Sequence, residues 1–251
     1  MMLMEKPVFY LPLATAVMRR VRQRLIDSGA DVSDSPSPDV THLILGVPSL
    51  ESDGSLKNGG SLPDILNALP RDITIIGGNL NHPVLNGFEK IDLLKIESFL
   101  WRNAAITADC ALSLARQRMS CCWQDANVLI LGFGRIGFHL AWTLGCLNTK
   151  VTVAARKHTA LAQAESMGMD SILIDAVDPD PFTVIFNTVP HMVLPEDRCK
   201  NCTPNCIKMD LASAPGIGGS GVIWARGLPG KYAPESAGNL IAKTIIQEVC
   251  S

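Results

Sequence analysis

Three closely spaced glycines are the residues most suggestive of a binding site in this chain. Gly132, Gly134 and Gly137 follow an apolar run, 127–131, and precede an amphipathic segment, 138–147. In this order of strand, glycines and helix, G-x-G-x-x-G indicates a dinucleotide site, with the pyrophosphate at the helix N-terminus. The predicted cofactor-binding residues here are Gly132, Phe133, Gly134, Arg135, Ile136 and Gly137.

The next predicted strand, 150–157, bears on the choice between NAD and NADP. A strand that favours NAD usually ends in Asp or Glu, which accepts a hydrogen bond from the ribose 2′-hydroxyl. This chain has Ala154 and Ala155 there, followed by Arg156 and Lys157. Small side chains leave room for a 2′-phosphate and two cations would pair with it. We predict NADP as cofactor, bound by Ala155, Arg156 and Lys157; the alternative is a solvated basic turn.

Two later strands end in polar residues, and ligands of open α/β sheets bind beyond the carboxyl ends of strands. Asn187, Thr188 and Pro190 follow one strand, and we expect them to contact the cofactor. A helix cap followed by a turn is the alternative for Asn187. Asp210 and Ser213 follow the other strand and are also predicted to bind the cofactor, although an ordinary buried residue would equally explain Asp210.

Strands and helices alternate along the whole chain, which predicts an α/β fold with two Rossmann-like parallel-sheet domains joined by a linking helix. The smaller domain would span 1–105 and be completed by a C-terminal helix, 236–251. The NADP-binding domain would span 106–235. Short strands are expected at 91–94 and 99–101, and Thr107 is the expected N-cap of the linking helix, which would run to about Met119.

The composition restricts the classes of partner. A net charge of −2 without a basic face argues against nucleic acid, and 47% hydrophobic residues are ample for two cores. No segment has the apolar length needed to span a membrane, so a cytoplasmic protein is expected.

Eight cysteines fit a reducing compartment if they stay reduced. Five of them lie in apolar segments and are predicted to be small core residues: Cys110, Cys121, Cys122, Cys146 and Cys250. Cys199, Cys202 and Cys206 are close enough to suggest a metal, but no fourth ligand lies nearby, so a polar loop is favoured and no metal is predicted.

Five motifs together resemble the family of the dipicolinate synthase A component. They cover most of the chain after about Phe99, and the last two are the most specific. The motifs are Gly-Phe-Gly-Arg-Ile-Gly (132–137), Val-Thr-Val-Ala-Ala-Arg-Lys (151–157), Phe-Asn-Thr-Val-Pro (186–190), Asp-Leu-Ala-Ser (210–213) and Gly-Leu-Pro-Gly-Lys-Tyr-Ala-Pro-Glu-Ser-Ala-Gly (227–238).

The resemblance implies an architecture like that of the D-2-hydroxyacid dehydrogenases. It also implies an NADP-linked oxidation of a dihydrodipicolinate-type cyclic dicarboxylate to dipicolinic acid, in the cytoplasm of the mother cell during sporulation. The expected partners are the flavoprotein-like B component of dipicolinate synthase, the dicarboxylate substrate and, in a homo-oligomer, further copies of the chain.

Four residues are predicted to be catalytic. Asn103 and Thr107 match family positions that face the active-site cleft. Ser213 lies at a strand end, where it would face the nicotinamide. Lys231 is the cation of the Gly-Leu-Pro-Gly motif and would pair with a substrate carboxylate, although a lone Lys is often merely solvated. His191 would be an obvious acid/base group, but the family usually lacks it.

The chain departs from the family pattern in places. It has Ile106 where members have Pro, and Asp109 where they have Glu. Residues 214–221 replace a full crossover helix and are too few for one of ordinary length.

Other functions stay open beside this resemblance. A nucleotide-binding protein with a regulatory or scaffold role would explain the lack of a clear Arg/Glu/His catalytic set. An NADP-dependent dehydrogenase of another small acid would share the same cofactor site. A methyltransferase-like enzyme is disfavoured by the basic residues after the second strand.

Overall fold

The computed structural model describes residues 6–57 and 59–249. They form two compact units. Unit 2 is the continuous stretch Ala104–Tyr232, and unit 1 holds the described residues up to Asn103 together with those from Ala233 onward. The domain limits given above stay predictions, and residues 1–5, 250 and 251 lie outside the described residues.

Unit 1 is built on a five-stranded, all-parallel sheet with the strand order β2-β1-β3-β4-β5. Its strands are β1 (Val8–Tyr10), β2 (Asp31–Ser33), β3 (His42–Ile44), β4 (Thr74–Gly77) and β5 (Glu89–Asp92). The helices that carry its residues are α1 (Ala16–Asp27), α2 (Leu62–Asn67), the first part of α3 (Glu97–Arg116), and α8 (Pro234–Val249). Single 3-10 turns lie at Pro83–Leu85 and Leu93–Lys95.

Unit 2 is built on a six-stranded parallel sheet with the order β11-β10-β9-β6-β7-β8. Its strands are β6 (Asn127–Leu131), β7 (Lys150–Ala155), β8 (Asp170–Leu173), β9 (Val184–Asn187), β10 (Ile207–Asp210) and β11 (Val222–Trp224). Its further helices are α4 (Arg135–Cys146), α5 (His158–Ser166), α6 (Glu196–Cys199) and α7 (Leu228–Tyr232), with 3-10 turns at Trp123–Asp125 and Ile174–Ala176.

The strand order of unit 2 reverses at β6, which lies between β7 and β9. The crevice beyond the carboxyl ends of strands at such a reversal is where doubly wound sheets bind ligands. The central strands β6 and β9 are buried on both faces, as parallel strands covered by helices require, and their sequences are accordingly near-continuous apolar runs. The predicted fold class, an α/β fold with two Rossmann-like parallel-sheet domains, is confirmed.

Three predictions around α3 are wrong. Residues 99–101 are helical rather than a strand, and Thr107 is not an N-cap, because it lies within α3, whose first turn carries Glu97. The buried side chains of Phe99, Ala104 and Ala108 recur at helical spacing, so the apolar stripe of α3 begins well before Thr107. The helix ends at Arg116 rather than near Met119.

Several other elements differ from the sequence-based expectation. Strand β5 begins earlier than the predicted 91–94 and gives way to a 3-10 turn. The short elements β2, α6 and α7 had not been predicted. Residues 211–221 join β10 to β11 without a helix, which confirms the shortened crossover.

The cysteines are only partly internal. Cys110 is buried, as predicted, and Cys121 is half-buried. The prediction is wrong for Cys122 and Cys146, which are exposed. Cys250 lies outside the described residues.

Within the described chain, no helix combines the length and the apolar character that a membrane crossing would need.

Candidate functional site

The glycine turn connects β6 to α4 at the strand-order reversal. Gly132 has a φ of +93°, and its N–H donates to the carbonyl of Ala154 at 2.8 Å. A Cβ atom on Gly132 would lie 2.6 Å from Thr188 Oγ1 and 2.7 Å from Val189 Cγ2. Glycine is therefore required here both by the backbone conformation and by the close approach of the turn after β9.

The other two glycines serve different purposes. A Cβ on Gly137 would overlap the carbonyl oxygen of Gly132, so this glycine lets the first turn of α4 lie against the glycine turn. A Cβ on Gly134 would have no heavy atom within 4 Å, so the space in front of the α4 N-terminus is open. The N–H groups at that terminus lack helical partners and are available to an anion.

A cavity of about 320 Å³ opens at this point in unit 2. The glycine turn forms one side, the end of β7 a second, and the turn after β9 a third. The lining residues are Gly132, Phe133, Gly134, Ala155, Arg156, Lys157, Ala160, Ile174, Thr188, Val189, Pro190 and His191.

The electrostatic character of this cavity is positive. Arg156, Lys157 and His191 line it, and none of the described lining residues is acidic. In the described part of the chain, no carboxylate forms an ion pair with Arg156 or Lys157. Both cations are therefore available to an anionic ligand.

The turn after β9 is held to β6 by Thr188. Its backbone N–H and its hydroxyl both donate to the carbonyl of Leu131, at 2.9 and 3.0 Å. This places Thr188 beside the glycine turn and makes the neighbouring residues, including His191, part of the cavity wall.

The structure brings many of the predicted cofactor-binding residues together. Eight of them line the cavity: Gly132, Phe133, Gly134, Ala155, Arg156, Lys157, Thr188 and Pro190. Arg135, Ile136 and Gly137 form the first turn of α4. Asn187 and Asp210 are buried behind the wall, with relative exposures of 0% and 2%, and bond to each other at 2.9 Å. Their direct contact with a cofactor stays a prediction.

The four predicted catalytic residues lie elsewhere. Asn103 and Thr107 are half-buried, one turn apart on α3, and both already make interactions. Ser213 is exposed in the connection after β10, and Lys231 is exposed on α7. None of the four is among the described residues that line the cavity. Their catalytic roles stay predictions.

Some lining residues were missed by the sequence argument. Val189 lies between two predicted residues and was overlooked only because its side chain is apolar. Ala160, in α5, and Ile174, just after β8, carry no motif, and only the sheet order brings them to the cavity.

The three closely spaced cysteines do not behave as metal ligands here. Burial, followed by the neighbouring Cys202 thiol, raises the pKa of Cys206 to about 12. Burial also raises the pKa of Cys199. Metals bind the thiolate, and these two groups stay protonated at neutral pH. Among the described residues, no group of three or more His, Cys, Asp or Glu is placed to hold a metal ion.

Comparison with known proteins places this site in context. No family model matches the chain. The A component of dipicolinate synthase from Bacillus subtilis (strain 168) is 31% identical over 153 residues, which cover 57% of this chain and 52% of that protein. The match therefore spans about half the length of that relative.

Two solved structures agree with this match over nearly the whole chain. The dipicolinate synthase A component from Bacillus halodurans has a TM-score of 0.84 at 21% identity, with 98% of each chain covered. Its Bacillus subtilis counterpart has a TM-score of 0.82 at 22% identity, covering 98% of this chain and 97% of that one. The predicted resemblance to the dipicolinate synthase A component is confirmed.

Solved dehydrogenases share the fold as well. L-alanine dehydrogenase and the Escherichia coli D-lactate dehydrogenase give TM-scores of 0.68 and 0.60 at 12% and 11% identity. They cover 97% and 96% of this chain, which spans 80% and 97% of theirs. At such identities the likeness is one of fold alone.

Proposed function

We propose that the chain is an oxidoreductase similar to the dipicolinate synthase A component and that it uses NADP. The cavity in unit 2 carries this proposal, because it combines a glycine turn, an open helix N-terminus and two available cations. A nicotinamide dinucleotide supplies or accepts a hydride when bound. The substrate would be a dihydrodipicolinate-type cyclic dicarboxylate, oxidised in the cytoplasm of a sporulating mother cell.

The residues present fit a dinucleotide with a 2′-phosphate. The open space before Gly134 admits a pyrophosphate, which the N–H groups of α4 would bind. Arg156 and Lys157, directly after β7, would pair with the 2′-phosphate, and Ala155 leaves room for it. Thr188 and Pro190 would form the opposite wall.

The remaining roles follow the resemblance. Asn103, Thr107, Ser213 and Lys231 would act on the substrate, and Lys231 would neutralise a carboxylate. The flavoprotein-like B component of the synthase would be the partner, since the similar proteins are named as one component of a synthase with several.

A second candidate is a nucleotide-binding protein with a regulatory or scaffold role. The observation that favours it is that none of the four predicted catalytic residues lies among the described residues of the cavity wall. Turnover of a cyclic imine dicarboxylate in the presence of NADP, with and without the B component, separates the two functions. Turnover of another small acid instead would favour a different NADP-dependent dehydrogenase.

The test of the cofactor is a parallel fluorescence titration with NADPH and NADH. We expect NADPH to bind at least tenfold more tightly, which is about 1.4 kcal/mol. Arg156→Glu should then weaken NADPH tenfold or more while changing NADH much less, because only NADPH has a 2′-phosphate. Lys150→Glu is the matched control: it makes the same charge change at the opposite end of β7 and should leave both affinities unchanged.

The outcomes are distinct. Equal losses for the two dinucleotides in Arg156→Glu would show that the 2′-phosphate does not lie against this residue. Binding of neither dinucleotide by the unaltered protein would favour the scaffold function.

A further inference from the structure

Two buried polar side chains lie next to each other behind the cavity wall. Asn187 ends β9 and Asp210 ends β10, and the two residues are direct neighbours across these parallel strands. Their relative exposures are 0% and 2%. Burying an amide and a carboxyl group is unfavourable unless their hydrogen bonds are satisfied, so their partners reveal what the pair does.

Asp210 receives four hydrogen bonds. Its Oδ1 accepts from Asn187 Nδ2 at 2.9 Å and from the N–H of Ala212 at 3.1 Å. Its Oδ2 accepts from the N–H groups of Gly216 and Ile217, at 2.7 and 3.1 Å. One carboxyl group therefore fixes both ends of the loop 211–217, the segment that stands where a crossover helix would otherwise be.

Asn187 performs the same task for the neighbouring turn. Its Nδ2 also donates to the carbonyl of Val189 at 3.0 Å, and its Oδ1 accepts from the Val189 N–H at 3.0 Å. The amide therefore holds both polar groups of Val189. Val189 and Thr188 are in turn the residues that close against Gly132. A continuous set of contacts thus connects Asp210, through Asn187, to the cavity wall.

We propose that Asn187 and Asp210 are a positioning pair that sets the wall 188–191 of the cofactor cavity without touching the cofactor. This proposal rests on the dinucleotide function given above. The polar atoms of both side chains are already engaged within the protein, and neither residue offers exposed surface to a ligand. The pair would therefore act on binding through the geometry of Thr188 and Val189.

The first test is Asp210→Asn, which preserves the size of the side chain. It converts one accepting oxygen into an NH2 group that must face backbone N–H donors, of Ala212 on one side or of Gly216 and Ile217 on the other. We expect the Kd for NADPH to rise tenfold or more at a temperature where circular dichroism shows the variant folded. The Kd for NADH should rise by a similar factor, because the wall serves both dinucleotides. Asp170→Asn, an exposed carboxylate on β8, is the matched control and should leave both unchanged.

A second pair of variants covers the case in which Asp210→Asn does not fold. A Cβ on Gly216 would overlap Asn187 Nδ2 and lie 2.8 Å from the Val189 carbonyl, so Gly216→Ala displaces the pair without removing a polar group. Gly218→Ala is the control in the same loop, since its Cβ would instead lie 2.7 Å from the Glu196 nitrogen. We expect Gly216→Ala to weaken both dinucleotides several-fold and Gly218→Ala to lower stability while leaving both Kd values unchanged.

Each result decides between the proposals. If the unaltered protein binds neither NADPH nor NADH, the proposed function fails and the positioning role fails with it. If it binds, but folded Asp210→Asn and Gly216→Ala bind as tightly, only the positioning role is overturned and the pair is purely structural. Equal losses in the control variants would also overturn it.

Discussion

The three glycines of the fingerprint carry separate physical requirements, although the motif writes them alike. Gly132 needs a positive φ and a close neighbour across the sheet. Gly137 needs room against the carbonyl of Gly132, whereas Gly134 has open space before it. One substitution, glycine to alanine, should therefore have different effects at the last two positions.

We predict that Gly137→Ala lowers the free energy of unfolding by about 1–3 kcal/mol, because a Cβ there meets backbone atoms that move little. Gly134→Ala should change stability by less than about 0.5 kcal/mol, since nothing is displaced. It should nevertheless weaken NADPH, because its methyl group would occupy the space assigned to the pyrophosphate. Urea unfolding and dinucleotide titration of both variants provide the measurements. A Gly134→Ala protein that binds NADPH normally would contradict this assignment.

The sequence predicted the residues of the site whose type and place in a motif are sufficient. The glycines, Arg156 and Lys157 fall into this class, because their strand and turn are continuous in sequence. The partnership of Asn187 with Asp210 could not be predicted, because it depends on the pairing of β9 with β10 and on a loop that folds back onto the carboxyl group. Burial of a polar strand end is a tertiary property.

At the scale of elements, α8 belongs to unit 1 and packs closely on α1. Gly238 allows this approach, since a Cβ there would lie 2.6 Å from Arg20 Cβ and 2.8 Å from the Val17 carbonyl. Arg20 Nε also donates to Asn239 Oδ1 at 2.7 Å. The small residue and the hydrogen bond beside it fix α8 against α1.

We expect Gly238→Ala to destabilise the protein by about 1–3 kcal/mol, because the added methyl group overpacks this contact. Ser236→Ala, on the exposed side of α8, should change stability by less than about 0.5 kcal/mol. Thermal or urea unfolding of the two variants tests this. Equal stability of the two would mean that α8 does not pack on α1 in solution.

Most helices and strands could be predicted from periodicity and glycine stops, but α3 and α7 show where that argument ends. Phe99 and Trp101 favour a strand locally, and only the burial of Phe99 together with Ala104 and Ala108 selects the helix. The Gly-Leu-Pro-Gly-Lys motif has the composition of a turn, yet Leu228–Tyr232 is helical and buries Leu228. Packing overrode local preference in both segments.

At the scale of the whole molecule, His42 links stability to pH. Burial lowers the pKa of His42 below its ordinary value of 6.5. Its ring lies 5.2 Å from that of Phe9, and its Nδ1 is 2.7 Å from Thr41 Oγ1. As the pH falls below 6.5, the unfolded chain takes up a proton at this position before the folded chain does.

The stability that neutral His42 contributes is therefore present above pH 6.5 and lost progressively below it. We predict that the free energy of unfolding falls between pH 7 and pH 5, and that His42→Gln makes this fall shallower. His158→Gln, at an exposed position, is the control and should keep the slope of the unaltered protein. An unchanged slope in His42→Gln would show that other groups cause the acid sensitivity.

The return of the chain to unit 1 has a consequence for how the protein is made. Unit 2 is one uninterrupted stretch, Ala104–Tyr232, whereas unit 1 needs α8 from beyond it. Synthesis runs from the N-terminus, so β1–β5 leave the ribosome long before the helix that packs on α1 exists. The unit whose synthesis starts first is thus the last to be completed, and the dinucleotide cavity can form on the nascent chain while α1 still lacks its partner.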